Sequence, residues 1–424
     1  MKRVWHLLRK ALQVLGPGLI TGSSDDDPSG IGTYSTAGAG FGFATLWTAL
    51  ITFPLMAAVQ VICARIGLVS GMGLAGVVRK HYARWLLYPI VCGLVIANTI
   101  NAGADIGAIA AAINLLVPIP AVFFVIPTAL ALVGLQIWGS YRLITRIFKW
   151  LTLSLLAYIA TAFFVKPDML AVLKGTFVPT IQLNANFLST LVAILGTTIS
   201  PYLFFWQASS EVEDQESKQK HSILQRRGTT ARQLRHAAWD VDIGMLFSNL
   251  VMYFIILTTA ATLFKAGKTQ VPSATDVALA LRPLAGNGAS ILLALGLIGS
   301  GMLAVPILTG SSAYVMAEAF EWPGGLNKKP HQARRFYIVI ALSTLLGMLI
   351  NFFGFNPIAA LFWTALINGL LAPPLMLVIM LIANNRKVMG DKTNGFWLNF
   401  LGWIATLLMS AAAIVFLLTA GQGS

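Results

Sequence analysis

Charge is what this sequence has least of: Asp, Glu, Lys and Arg make up 10% of its 424 residues, against about 25% in an ordinary globular domain. No water-soluble surface can be built from so few. Cysteine is nearly absent. Cys63 and Cys92 fall in or near apolar stretches without metal-ligand spacing, so neither a disulfide framework nor a thiolate site is implied. Also missing are a Gly-rich loop ending in Lys-Ser or Lys-Thr, a Ser elbow and a His pair at metal spacing. The five His, at positions 6, 81, 221, 236 and 331, lie in loops or at span ends. These absences argue against a nucleotide-driven pump and against an enzyme. The expectation is no cofactor, no nucleotide and no obligatory protein partner.

What the chain has is apolar length. Hydrophobic residues make up 57% of it, and the mean hydropathy is +0.77. Stretches of roughly 20 apolar residues recur from Ala11 to the C-terminus, and in hydrocarbon their backbone groups are satisfied only as helices. The fold class is therefore an all-α integral membrane protein. The spans read as 11–41 (interrupted), 43–66, 85–116, 120–139, 143–165, 187–209 (interrupted), 240–263, 289–317, 334–353, 357–383 and 396–418. A formal charge of +14 invites a nucleic-acid partner, but its distribution argues for the bilayer instead. With the N-terminus in the cytoplasm, all of the 29 Lys and Arg except Lys166, Lys174, Lys265, Lys268 and Arg282 fall on the cytoplasmic side. That is the positive-inside pattern. It places the N-terminus in the cytoplasm and the C-terminus outside, in a multi-pass protein of the plasma (inner) membrane. The first apolar stretch has no small-residue cleavage site, so the first helix is read as the targeting signal rather than a cleaved leader.

Two places break the run of apolar helix. In the first span stands Thr21-Gly-Ser-Ser-Asp-Asp-Asp-Pro-Ser-Gly30. Pro28 removes a backbone donor and clashes with the preceding turn, so the helix should unwind near Asp27 and restart around Ile31. Ionisable groups at membrane depth face the protein interior and mark a substrate or ion path. In the sixth span stands Gly196-Thr-Thr-Ile-Ser-Pro-Tyr202, which reads either as a second functional break or as an ordinary proline kink. Breaks in spans one and six are what two inverted five-helix repeats produce, with the binding site where the discontinuous helices meet. On that reading 11–165 is the first repeat, 187–383 the second and 396–418 an extra C-terminal helix, all in one transport domain.

At these residues the sequence resembles the Nramp divalent-metal transporters, whose fold is of the LeuT type. Gly16-Pro-Gly18 and Asp27-Pro28 are similar to that family's first span, which reads Asp-Pro-Gly-Asn. Leu195-Gly196 and Pro201 resemble its sixth-span Met-Pro-His region, Asp240 to Phe247 its seventh span, and Thr309-Gly310 to Glu318-Ala319-Phe320 its eighth. The resemblance implies a metal site at Asp27, Gly30, Thr197 and Ser200. Here Gly30 stands for the family's Asn, Ser200 for its coordinating Met, Thr197 for the Ala whose carbonyl coordinates, and Tyr202 for the following His. This pattern looks like the Nramp-related magnesium transporter branch.

Ligand chemistry points the same way. A thioether favours transition metals over hard alkaline-earth ions, so its loss removes a ground for rejecting Mg²⁺. Mg²⁺ keeps several waters and uses one or two carboxylates, so it needs room, and the lost Asn and Met side chains should leave a larger cavity. The expected cargo is Mg²⁺ and also Mn²⁺, moved without obligatory proton coupling. Tyr202 replaces the family's His, and the stretch Asn101 to Asp105 keeps only the second of two third-span acids. A proton-coupled Mn²⁺/Fe²⁺ symporter and a Na⁺-coupled amino-acid symporter on the same fold are the alternatives. Asn368 in the tenth span is either a further ligand or a helix-to-helix hydrogen bond. Asp25 and Asp26 either line a vestibule or bond the free helix ends. Asp105 belongs to the pathway or to its supporting network. Glu211, Glu213, Asp214 and Glu216 read as a solvated face or as an exit funnel. The loop from Gln215 to Arg235 reads as a cytoplasmic connection without its own fold.

Overall fold

The computed structural model describes residues 16–139, 156–217, 223–226, 228–271 and 273–420. In chain order the helices are α1 (Pro17–Asp25), α2 (Pro28–Phe41), α3 (Trp47–Ser70), α4 (Leu74–His81), α5 (Arg84–Leu116), α6 (Val122–Trp138), α7 (Leu156–Val165), α8 (Met169–Phe177), α9 (Ala185–Thr198), α10 (Pro201–Ser217), α11 (Ala231–Thr259), α12 (Ala289–Phe320), α13 (Arg334–Leu349), α14 (Pro357–Ala383) and α15 (Phe396–Ala420), with short turns between some of them. Lys2, Arg3, Arg9, Lys10, Arg142, Arg146, Lys149, Lys218, Lys220, Arg227, His6 and His221 lie outside the described residues. So do the first parts of the spans read at 11–41 and 143–165.

Proline sets both breaks. Pro28 is the first residue of α2, where a missing N–H is harmless and the fixed φ suits a helix start. Asp27 before it is extended, with φ −68° and ψ 170°, and its carboxylate caps the Gly30 N–H. The restart thus comes at Pro28, earlier than Ile31, because Asp27 itself supplies the cap. The sixth span repeats the device: α9 ends at Thr198, Ile199 leaves helical geometry, and Pro201 opens α10.

Eight helical stretches among the described residues, with α9 and α10 together forming one, are long and apolar enough to cross a membrane, while α6 and α7 are shorter apolar helices. Their outward faces carry large apolar side chains, such as Trp363, Phe123 and Leu407, which a bilayer covers. Inside, α3 packs along α11 and α5 along α12. Each of these pairs joins a span to the one five further on.

Glycine brings the broken helices against their supports. A Cβ on Gly22 of α1 would stand 2.2 Å from the carbonyl carbon of Gly244 on α11, and one on Gly196 of α9 would stand 2.3 Å from the Gly369 N–H nitrogen on α14. No side chain fits at either crossing, so the backbones touch and both breaks reach the centre of the bundle.

The loop expected to lack structure is tied down where it is described. Arg226 lies in a short helix and its Nε donates to the Gly71 carbonyl, while the Gly228 N–H donates to Val69. A Thr230–Gln233 capping box then starts α11 at Ala231, well before the expected 240. The polar composition of that segment concealed the cap.

Candidate functional site

The site begins where α1 stops. Asp27 Oδ1 accepts from Ser29 Oγ at 2.5 Å and from the Gly30 N–H at 2.8 Å, and its Oδ2 accepts from Asn101 Nδ2 at 3.2 Å. The carboxylate is fixed by the turn it caps and by α5. Across from it, Thr197 Oγ1 lies 3.5 Å from Ser29 Oγ, which brings the end of α9 against the start of α2. Ser200 Oγ gives its proton back to α9, to the carbonyls of Thr197 at 2.7 Å and Gly196 at 3.1 Å. No described residue donates to it. The two breaks therefore meet as expected, with Asp27, Gly30, Thr197 and Ser200 all buried.

Gly30 does not leave the open space expected of it. A Cβ there would stand 3.2 Å from the Tyr34 ring and 3.3 Å from Thr197 Oγ1, so neighbours have closed over the missing side chain in this conformation.

Tyr202 reaches back from α10 and donates its hydroxyl to the Ser24 carbonyl at 3.0 Å. That carbonyl belongs to the last turn of α1, where no further helical N–H follows to take it. The phenol thus ties the second break to the first.

Asp25 and Asp26 neither open onto solvent nor bond helix ends. Ser248 on α11 donates to Asp25 Oδ2 at 2.6 Å and also lies 3.2 Å from Asp26 Oδ1. Asp25 Oδ1 and Asp26 Oδ2 have no partner. Asp105, one turn beyond Asn101 on α5, lies near Asp27 and the Ser29 backbone N–H, and no side chain among the described residues donates to it. Asn368 is buried on α14 with its Nδ2 unpartnered, so that amide is not spent on a helix-to-helix bond.

Four carboxylates, Asp25, Asp26, Asp27 and Asp105, are at most 1% exposed. None takes part in an ion pair among the described residues. Burying so much negative charge is costly unless cations or protons neutralise it. No group of three or more His, Cys, Asp or Glu among the described residues is arranged as a metal cage. The site is instead one fixed carboxylate with hydroxyls near it and further acids around it.

The second half of the sixth span, α10, is closed by polar contacts, and here the expected solvated face is corrected. Thr21 Oγ1 donates to Gln207 Oε1 at 2.5 Å, and Gln207 Nε2 donates to Glu211 at 3.0 Å. Glu213 accepts from the Tyr314 hydroxyl and from the Asn327 N–H, and Glu216 pairs with Arg226. Glu318 takes the Ser209 hydroxyl at 2.7 Å and the Gly76 N–H at 3.1 Å. The acids of α10 are buried or half-buried because α4, α12 and the turn at Asn327 lie against them.

Several working residues were not singled out in the sequence. Asn101 looked like a lost acid but holds Asp27. The sequence assigns Ser29 no role of its own within the Thr21–Gly30 string. Asp240 accepts the Gly16 N–H at 2.8 Å and the Gly18 N–H at 2.7 Å, capping α1 from α11. The Gly-Pro-Gly string was the available signal, since it offers bare N–H groups at a helix start.

Residues 18–419 match the family described as natural resistance-associated macrophage protein-like (Nramp). The divalent metal cation transporter MntH of Klebsiella pneumoniae is 25% identical over 402 residues, covering 92% of this chain and 90% of its own. The manganese transporter of Eremococcus coleocola, in complex with an aromatic bis-isothiourea compound, superposes with a TM-score of 0.77 at 19% identity, over 97% of this chain and 87% of that one. Mhp1, a nucleobase-cation-symport-1 family transporter in a closed conformation, gives 0.57 at 13% identity, over 95% and 92%. The fold is thus the LeuT type, two inverted five-helix repeats with helices one and six interrupted. With a family match over nearly its whole length, this chain belongs to the Nramp family and is a multi-pass membrane transporter, not an enzyme.

Proposed function

We propose that this protein carries divalent metal ions, chiefly Mg²⁺ and also Mn²⁺, into the cell by alternating access at the junction of the two helix breaks. The observation that carries the reading is the donor set. Asp27 is a fixed, buried carboxylate held by Ser29, Thr197 Oγ1 lies beside Ser29, and Ser200 bonds the end of α9, so the side-chain donors at the two breaks are oxygens, with neither thioether nor imidazole. Hard oxygen donors suit Mg²⁺ and tolerate Mn²⁺. The kinship with a divalent metal cation transporter and the likeness to a manganese transporter support the substrate class. Asn368 supplies a further amide, and Asp25 and Asp26 add negative charge at the end of α1. The closed polar layer below α10 is the inner gate, which opens when α1 and α10 separate. The excess of Lys and Arg in alternate loops supports an N-terminus in the cytoplasm and a C-terminus outside. The repeats run 11–165 and 187–383, with 396–418 added.

Coupling is absent on this reading, because Tyr202 is committed to the Ser24 carbonyl and does not relay protons. An inside-negative potential suffices, at about 2.3 kcal/mol per charge per 100 mV. One observation favours a second reading, a proton-coupled symporter: Asp105 is buried beside Asp27, and no side chain among the described residues donates to it. Proteoliposomes holding a pH-sensitive dye decide between them, with Mg²⁺, Mn²⁺, Ca²⁺ and an amino-acid mixture offered in parallel. The expected result is Mg²⁺ and Mn²⁺ uptake at constant internal pH. Metal-dependent acidification abolished by Asp105→Asn establishes the symporter, and amino-acid uptake without metal uptake removes both readings.

A further inference from the structure

A groove of about 840 Å³ lies away from the helix breaks, on the outside of the bundle. α3 forms its floor, with α11 on one side and the segment from Asp391 into α15 on the other. Its lining is sorted by depth. Phe53, Pro54, Ile243 and Leu246 line one end, and Arg65, Arg235 and Lys392 line the other. From Phe53 to Arg65 the floor runs about 18 Å at 1.5 Å per residue, close to half the roughly 30 Å of a bilayer's hydrocarbon core. The apolar end is open: Ile243, Leu246 and Trp239 are exposed.

The charged end is built to present cations. Arg65 Nη2 donates to the carbonyls of Lys392 at 2.9 Å and Thr393 at 3.3 Å, which fixes the guanidinium at the mouth, and its Nε is buried without a partner. Neither Arg65 nor Arg235 has a carboxylate partner among the described ion pairs. Two acids share the lining. Asp391 is engaged by Lys392 at 3.1 Å, and Asp242 lies two helical turns below Arg235 on α11. Two guanidinium groups therefore stand over an apolar slot at one end of the bundle.

We propose that this groove seats an anionic glycerophospholipid, with its phosphate between Arg65 and Arg235 and one acyl chain along α3 toward Phe53 and Leu246. Guanidinium groups recognise phosphate with paired, charge-assisted hydrogen bonds, and basic pockets between spans on the cytoplasmic side select anionic lipids. The volume falls within the roughly 300–1,000 Å³ of sites that bury a small ligand. It takes the phosphate and one chain, and the second chain lies in the surrounding bilayer. α11 also carries Asp240, which caps α1, and Ser248, which holds Asp25. The bound lipid thus steadies the helix on which the first break leans.

Native mass spectrometry of the full, delipidated chain tests this with phosphatidylglycerol, phosphatidylethanolamine and phosphatidylcholine of identical chains. Phosphatidylglycerol should bind about tenfold more tightly than phosphatidylcholine. Arg235→Glu should erase that preference. Leu246→Trp should weaken all three lipids by filling the slot. Arg235→Gln, at an exposed position, serves as the milder variant if the reversal disturbs folding, and each variant's melting temperature without lipid is compared with the wild type. Equal binding of the three lipids, a preference that survives both Arg235 variants, or a co-purifying protein in place of lipid would overturn the proposal.

Discussion

The two breaks are alike in backbone and opposite in charge. In each, a proline opens the second half-helix and the residues before it leave helical geometry. The first break holds Asp25, Asp26 and Asp27, whereas Ile199 and Ser200 of the second carry no charge. Their side chains also work in opposite directions. Asp27 caps forward, onto the helix that starts, while Ser200 bonds backward, onto the helix that ends. Proline thus explains why both helices break, and only the side chains explain what each break does. On this account the first break balances the ion's charge and the second sets which ion is accepted.

The largest difference between the two breaks is expected at Asp27. Asp27→Ala should reduce divalent-ion uptake to the level of empty liposomes while the protein remains folded and inserted, as read by tracer flux and size-exclusion profile. Near wild-type flux in that variant would move the charge-balancing role elsewhere in the acidic group.

A smaller effect is expected at the second break. Ser200→Met places a soft donor opposite Asp27 and should lower the Mg²⁺ to Mn²⁺ uptake ratio by about tenfold, leaving Mn²⁺ flux largely intact. The single change is the cleaner test. Adding Gly30→Asn would push against Tyr34 and Thr197, which already lie at 3.2 and 3.3 Å from where its Cβ would be. An unchanged ratio would mean that the second break does not select.

Tyr202→Phe removes the hydroxyl that links the breaks and should cost about 1 kcal/mol, since hydrogen bonds between membrane helices are worth less than burial alone suggests. The check is the melting temperature in detergent. Ser248→Ala should have the smallest effect, slowing uptake less than about threefold, because two unpartnered acid oxygens already tolerate their setting. A larger loss in the Ser248 variant than in the Tyr202 variant would shift weight from the link between breaks to the support from α11.

Much of this was legible in the sequence because it is local. Pro28 and Pro201 cannot donate a backbone hydrogen bond, so each announces its break wherever it sits in an apolar run. The apolar spans follow from length, and the end of the tenth at Ala383 agrees with the structure. Contacts between distant residues were not legible. Asp240 caps a helix more than two hundred residues earlier, and nothing near it in sequence distinguishes a cap from a pathway acid. Glu213 lies in a polar stretch that reads as solvated, yet Tyr314 and the Asn327 backbone hold it inside. Gly30 suggested room, because a missing side chain shows in the sequence while the neighbours that close over it do not.

The most direct test of the central claim is anomalous diffraction from crystals soaked in Mn²⁺, with and without excess Mg²⁺. One site is expected at the junction of the breaks, within about 2 Å of an Asp27 carboxylate oxygen, and its signal should be lost when Mg²⁺ displaces Mn²⁺. A signal on Asp25 and Asp26 with Asp27 left free, or a site at Asp27 that excess Mg²⁺ does not empty, would contradict it.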